Sequence, residues 1–570
     1  MEYHGLAVSA GIAIGKAFHY ACFDVESCLA QLVTIEEKEP QSPVKRFSGA
    51  VERVREELHL QSSLLSQKSP EQAGILDAHI EIAEDEALKE DVLAELQSGS
   101  HAGDAVHQVF SQYIALFSKS KEERIRERTA DLVDVRNRIL RAMAGMPEQN
   151  LSHLKAPRVI FAHDLLPADT ATIDRKNVLA IVTEIGGDTS HTSIIARSYG
   201  IPCIVGVENI CEQIEEGKTV IVDAINGVIL QEPSAEVQKE YLLRQEKIAA
   251  EKQETEQFRS RPAVTTDGVH IDICVNLAKI TPEALSAETF TDGVGLFRTE
   301  FLYMGRMTPP TEEEQQSVYR EVLAAYGEKP VVLRTLDIGG DKKVDCLSLP
   351  QEQNPFLGQR ALRLCFAQPE LFRTQLRAAL GASPAGTLWI MFPMVGSVED
   401  FLRAKAMLEE EKQKLQNTGF VLPSTIRIGA MIEIPSMAIA ADRLAREADF
   451  ASIGSNDLTQ YMLAVDRTEP AVAEYCQKYH PAVLRAIAMA AKSFVQAGKP
   501  ISICGELGGD PIAVPFLIGC GMRKLSMSEG LVAEVKKTVS LHSITDCRLL
   551  TEKVCNAGTA GEAENLLRGF

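Results

Sequence analysis

Eight short apolar runs between residues 268 and 528 constrain this chain more than any other feature. They are HIDICVN, GVGLFRTE, VVLRTLD, LWIMFPM, RIGAMIEIP, DFASIGSND, ISICGEL and RKLSMS, each followed by a helix-like segment. Strands alternating with helices call for a parallel sheet, and eight repeats in about 300 residues match a (β/α)8 TIM barrel. Nearly every run ends in a polar or reactive group: Asn276, Arg298, Arg334, Glu433, Asp457, Cys504 and Ser528. In such barrels chemistry sits at the C-terminal strand ends, so a ring of these endings marks a site.

The first half of the chain reads differently. Residues 1–20 alternate small and apolar side chains between Gly5, Gly11 and Gly15, which suggests an opening strand. From about Val44 to Gly145 the pattern is helical and charged, with Leu76, Ile80, Ala83 and Ala87 spaced as one helix face. From Pro157 the runs RVIFAHDL, NVLAIVTE, PCIVGV and TVIVDA alternate with helical pieces. That pattern predicts an α/β unit completed by the N-terminal strand, with the helices inserted as a subdomain. Residues 235–260 form a polar helix, read as a linker between the halves or as a surface helix of either one. The expected units are therefore 1–25 with 146–234, an insertion over 26–145, the linker 235–260, and a barrel over 261–570.

The formal charge of −20 argues against nucleic-acid binding, which requires a basic surface. No stretch reaches the roughly 18 apolar residues of a membrane span, and the N-terminus lacks a signal-peptide pattern. The expectation is a cytoplasmic protein. Its 12 cysteines are scattered without a C-x-x-C pair, so they read as reduced, mostly buried thiols rather than zinc ligands.

The segment VTEIGGDTSHTSIIARSYGIPCIVG carries the sharpest local signal. Ser190 is a good N-cap for a helix beginning at His191, and Gly200 is suited to end it. His191 then projects where free backbone N–H groups and the helix dipole favour an anion. The residue alone is compatible with a structural histidine or with one that is phosphorylated.

The whole string resembles the phosphohistidine segment of phosphoenolpyruvate-utilising enzymes, and most closely that of the enzyme I family of the bacterial sugar phosphotransferase system. The resemblance takes in AHDLLPADTA, where Thr170 matches a threonine supporting the histidine. It departs at Asp188, where the family usually carries a basic residue. GLFRTEFLYM, VLRTLDIGGDK, NPFLGQRALR, IMFPM, MIEIPS, GSNDLTQYMLAVDR and CGELGGD then follow in the family's order through the C-terminal half.

The resemblance implies transfer from phosphoenolpyruvate to His191, then to a histidine of the small carrier HPr, with the domains swivelling about 235–260. The residue chemistry agrees. A substrate with a phosphate and a carboxylate calls for forked cationic donors, and Arg298, Arg334 and Arg467 supply them. Glu433 and Asp457, at the ends of consecutive strands, can share one hard cation, Mg²⁺. By resemblance Asn456 and Asp457 also contact substrate, Cys504 donates the proton that makes pyruvate, and the barrel forms a homodimer. Lys342 is a weaker candidate. Glu71, Asp77, Glu81, Glu84, Asp85, Glu86, Glu90, Asp91 and Glu95, opposed in their stretch by Lys89 alone, mark the expected carrier dock. A pyruvate phosphate dikinase would need a nucleotide-binding domain, and EGKTV at 216–220 fails as a P-loop because Glu212 stands where its first glycine is required. A silent regulatory paralogue is disfavoured by the intact set of reactive residues.

Overall fold

A computed structural model describes the chain apart from residues 21–24, 39–41, 66–69, 119–122, 147–150, 152–153, 155, 166–172, 175, 188–189, 341–343, 345, 348, 350–351 and 424. It divides into two compact units, Met1–Ile248 and Ala249–Phe570. The helix Ala235–Glu256 runs across that boundary and buries none of its residues. Among the described residues no helix is long and apolar enough to cross a membrane.

The first unit contains an eight-stranded mixed sheet. Its strands are β1 (Glu2–His4), β2 (Leu6–Ser9), β3 (Ile12–Tyr20), β4 (Arg158–Ala162), β5 (Val178–Thr183), β6 (Cys203–Val205), β7 (Thr219–Asp223) and β8 (Val228–Gln231). The order is β1-β8-β7-β3-β4-β5-β6-β2. The opening segment supplies three strands rather than one, because Gly5 and Gly11 break it. Gly5 sits where a Cβ would lie 2.4 Å from Val207, so the chain must be bare there. β3 is central, antiparallel to β7 and parallel to β4.

Between β3 and β4 lie the helices Val25–Lys38, Pro43–Leu65, Pro70–Glu84, Glu86–Gln97, Ala102–Ser118 and Glu123–Ala144, packed around their own core. The helix face read through Ala87 is interrupted. Asp85 leaves the helical conformation and its carboxylate accepts from Leu88 N–H at 2.8 Å, starting a new helix. The restart shifts the phase by one residue, so Leu88 is buried and Ala87 is exposed. An aspartate inside an apolar period can thus act as an N-cap and divide one helix into two.

The second unit is a closed parallel barrel. Its strands are β9 (Asp272–Leu277), β10 (Val294–Phe297), β11 (Val331–Arg334), β12 (Leu388–Phe392), β13 (Arg427–Ile432), β14 (Phe450–Gly454), β15 (Ile501–Cys504) and β16 (Lys524–Met527), in sequence order, with β16 returning to β9. The fold is thus α/β multidomain with a C-terminal (β/α)8 TIM barrel. Leu296, Val332, Trp389, Met391, Met431, Phe450 and Cys504 form one buried cluster within the barrel, and a larger apolar cluster joins the strands to the helices. Trp389, the only tryptophan of the chain, lies 4.6 Å from both the Arg427 guanidinium and the Lys524 ammonium. Those cation–π contacts hold two charges, the buried Lys524 and the half-buried Arg427, against the indole.

Candidate active site

In the first unit, β5 ends at Thr183, and the loop after it leads into the helix His191–Tyr199. Ser190 caps that helix: its hydroxyl accepts from Ser193 N–H at 3.3 Å and lies 2.8 Å from Ser193 Oγ. Ser193 Oγ also donates to Gly187 O at 2.7 Å, which ties the glycine loop to the first turn. Gly186, at φ 118, takes a conformation side chains resist. Gly200, at φ 65, closes the helix. The backbone at His191 is therefore fixed at a helix start.

The side chain of His191 lies outside the described residues, as do Thr170, Asp188 and Lys342. Glu184 anchors the loop from the other side, accepting from Cys211 N–H at 3.0 Å and pairing with His163 Nδ1 at 2.7 Å. Burial raises the pKa of its carboxyl, and the bonds from His163 and Cys211 outweigh that, leaving it lowered.

The acidic stretch of the helical insertion is less bare than its sequence suggests. Asp77 accepts from Ser62 at 2.7 Å, Asp91 from Tyr113 at 2.8 Å and Glu95 from Ser98 and Ser100. Glu81 lies 3.7 Å from Arg128 and Glu84 3.9 Å from Arg55, so Lys89 is not the only cation opposing them. Those cations come from neighbouring helices, invisible to a count along one stretch. Glu86 and Glu90 remain exposed without a side-chain partner among the described residues.

In the second unit the reactive strand endings converge at the C-terminal rim. Glu433 follows β13 and is fully buried. Its Oε1 accepts from Met394 N–H at 2.5 Å, while Oε2 has no hydrogen-bond partner. Burial raises its pKa most, the Asp457 and Asp337 charges raise it further, and Arg334 and Arg360 work against them. Asp457 does not end a strand: β14 stops at Gly454, and Asp457 lies in the first turn of the helix Ser455–Leu463. Asn456, beside it, accepts from Glu506 N–H at 2.9 Å through Oδ1. Asn276 accepts from Ser526 Oγ at 2.6 Å.

The arginines divide by environment. Arg334 is buried and held by Glu300 and, at 2.9 Å, by Asp337. Burial opposes its charge, and those two carboxylates outweigh the penalty. Arg298 is exposed, has no side-chain partner among the described residues, and lies close enough to Cys504 to affect its titration. Arg467 reaches Asp457 at 3.5 Å. Cys504 ends β15, is 2 % exposed and directs its thiol to Ile453 O at 3.5 Å. Burial pushes that thiol up to about 11.

Sequence reasoning passed over one residue that organises this rim. Arg360 is 1 % exposed and forks onto two carboxylates, with Asp337 at 3.1 and 3.2 Å and Asp457 at 3.2 and 3.4 Å. Its Nη1 also donates to Tyr461 OH at 3.1 Å. The segment NPFLGQRALR contained it, but no strand ends there to draw notice. Glu433, with one oxygen unsatisfied, and Asp457, whose charge acts on it, fit a small hard cation, which prefers few protein ligands and leaves room for substrate oxygens. The other acidic group, His270 with Asp272 and Asp292, lies at the opposite end of the barrel, where Lys524 stands 3.8 Å from Asp272.

A TIM barrel whose rim carries buried arginine–carboxylate pairs, an exposed arginine and an unsatisfied glutamate oxygen is suited to a small polyanion. Family models for phosphoenolpyruvate-utilising enzymes match along the chain: the N-terminal domain over 4–128, the mobile domain over 154–227 and the phosphoenolpyruvate-binding domain over 252–543. The phosphoenolpyruvate-protein phosphotransferase of Staphylococcus carnosus is 41% identical over 574 residues, covering 99% of this chain and 98% of that protein. Its namesake in Bacillus subtilis is 41% identical over 568 residues, covering 98% of each. The chain belongs to the phosphoenolpyruvate-protein phosphotransferase family, and so to the transferases.

Proposed function

We propose that the barrel rim binds phosphoenolpyruvate, that His191 accepts its phosphoryl group, and that Cys504 protonates the enolate left behind. The P–O bond of the substrate breaks with its electrons retained on the enolate oxygen, and an N–P bond forms on the neutral imidazole. The thiol of Cys504, neutral at physiological pH because burial raises it, gives its proton to the terminal carbon and recovers one from solvent. Arg298 and Arg467, with Arg334 behind them, offset charge on the phosphate and carboxylate, and Asn456 orients the substrate. Glu433 and Asp457 are the residues that would hold the divalent metal, Mg²⁺ in this reading. When bound it supplies positive charge beside the phosphate and carboxylate oxygens.

The phosphoryl group then passes to a protein acceptor, which we read as HPr docking on the helical insertion. The units are read as 1–25 with 146–234, 26–145, a connecting helix over 235–260 and the barrel over 261–570. A homodimer through the barrel and a cytoplasmic location complete the proposal.

The observation that carries the reading is the orphaned, buried Oε2 of Glu433 among the arginines and Asp457 of the rim. Transfer of labelled phosphate from phosphoenolpyruvate to the purified protein tests it, with and without Mg²⁺ and beside His191→Ala. Acid-labile label requiring both the metal and His191 is the expected result. Label on the His191→Ala protein, or none on the wild type, refutes it.

A further inference from the structure

Among the described residues five that are not glycine adopt a positive φ, and three of them adjoin this rim: Ala361 next to Arg360, Met394, and Ala464 at the end of the helix carrying Asn456 and Asp457. Side chains resist that conformation, and where it persists the surroundings hold it for a reason. At Met394, φ is 53, and the reason is visible: the turn aims its N–H at Glu433 Oε1, 2.5 Å away. Pro393, just before it, has no N–H to give, so Met394 carries the first donor after β12.

The far side of the same carboxylate is confined by Gly454. A Cβ there would lie 2.7 Å from Glu433 Oε2, 3.0 Å from Glu433 Cβ and 3.1 Å from Met431 Sδ. One oxygen is thus anchored, and the other is hemmed in and left without a donor in the interior. A buried carboxylate oxygen is rarely left in that state without a ligand to meet it.

We infer that Met394 is a positioning residue: its main-chain N–H, aimed by a left-handed turn, fixes Glu433 so that Oε2 faces the cation. The inference rests on the proposed role of Glu433 as a metal ligand. If the bond only joined the loop after β12 to β13, changes at Met394 would alter stability and leave metal affinity unchanged.

The test is Mn²⁺ binding to the full-length protein, followed by electron paramagnetic resonance with oxalate present, with apo-protein melting recorded beside it. Met394→Val, whose branched Cβ opposes a positive φ, is expected to weaken Mn²⁺ binding by about tenfold or more. Met394→Leu should stay within about threefold of wild type, and Glu433→Gln should abolish the bound signal. Equal affinity in the valine and leucine variants, with Glu433→Gln deficient, overturns the positioning role and leaves the metal site standing. Unchanged binding in Glu433→Gln removes the metal-site reading itself.

A second measurement does not depend on the valine variant folding. In wild-type protein labelled with ¹⁵N-methionine, the Met394 amide proton should resonate far downfield and return to the ordinary range in Glu433→Gln. An ordinary shift in the wild type overturns the inference.

Discussion

Replacing Arg360 with methionine should destabilise the barrel unit specifically, and the size of the effect follows from its contacts. The side chain gives Asp337 and Asp457 four contacts between 3.1 and 3.4 Å from a position 1 % exposed. Breaking a buried ion pair from one side costs about 3–5 kcal/mol, mostly because the partner stays buried without compensation. Here each carboxylate keeps a second cation, Arg334 on Asp337 and Arg467 on Asp457, so the lower end, about 3 kcal/mol, applies. A unit of about 320 residues unfolds with an entropy near 0.7 kcal/mol/K, so that loss lowers its melting point by about 4 °C.

Arg360→Lys keeps the charge and loses the fork, and should fall about halfway. Calorimetry on the intact protein reads both, with the transition of the unit Met1–Ile248 as internal control. A barrel transition within about 1 °C of wild type in Arg360→Met would refute the reasoning, since these pairs would then contribute nothing.

Three further outcomes follow from named contacts. Cys504→Ala should slow pyruvate formation from phosphoenolpyruvate by about 10²–10⁴-fold while changing substrate affinity little, as read by single-turnover kinetics against equilibrium binding. Glu411 is fully buried and bonded by Arg373, Lys414 and Arg377 at 2.6, 2.7 and 3.2 Å; burial raises its pKa, and those bonds outweigh that to leave it lowered. A lowered folded-state value means its stabilisation is present above the unfolded value near ~4.3 and disappears as pH falls. Glu411→Gln should therefore cost about 2 kcal/mol at pH 7, with the gap to wild type narrowing below about pH 4 in paired melts. Ser190→Ala removes the cap on the helix starting at His191 and should cost that helix about 1 kcal/mol, seen as faster amide exchange over 192–195 with the barrel unaffected.

Much of this was legible along the chain, for a local reason. Each barrel strand is a short apolar run whose alternation with helices is written residue by residue, so the eight strands could be listed without coordinates, whereas Asp457, expected at a strand end, lies in the helix after β14. Ser190 and Gly200 likewise announce a helix between them, because caps depend on a few neighbouring residues. Local reading failed where a single polar residue changed its role. Asp85 turned one predicted helix face into two helices, and no period count distinguishes a surface aspartate from a cap. The acidic stretch also looked barer than it is, since Arg55 and Arg128 reach it from helices before and after.

The sequence by itself therefore determined the repeat, the barrel and the roster of residues able to do chemistry at its rim. Tertiary structure alone decided how those residues share charge. Asp337, Arg360 and Asp457 are brought together across 120 positions of chain only when β11 and β14 are carried into one closed barrel. That closure buries Arg334 against Glu300 and leaves Arg298, its equal in sequence, open to solvent. It also removes water from Glu433 while supplying a donor to only one of its oxygens. Burial and pairing are properties of the assembled interior, where a charge is stabilised by what surrounds it in space rather than by what precedes it in the chain.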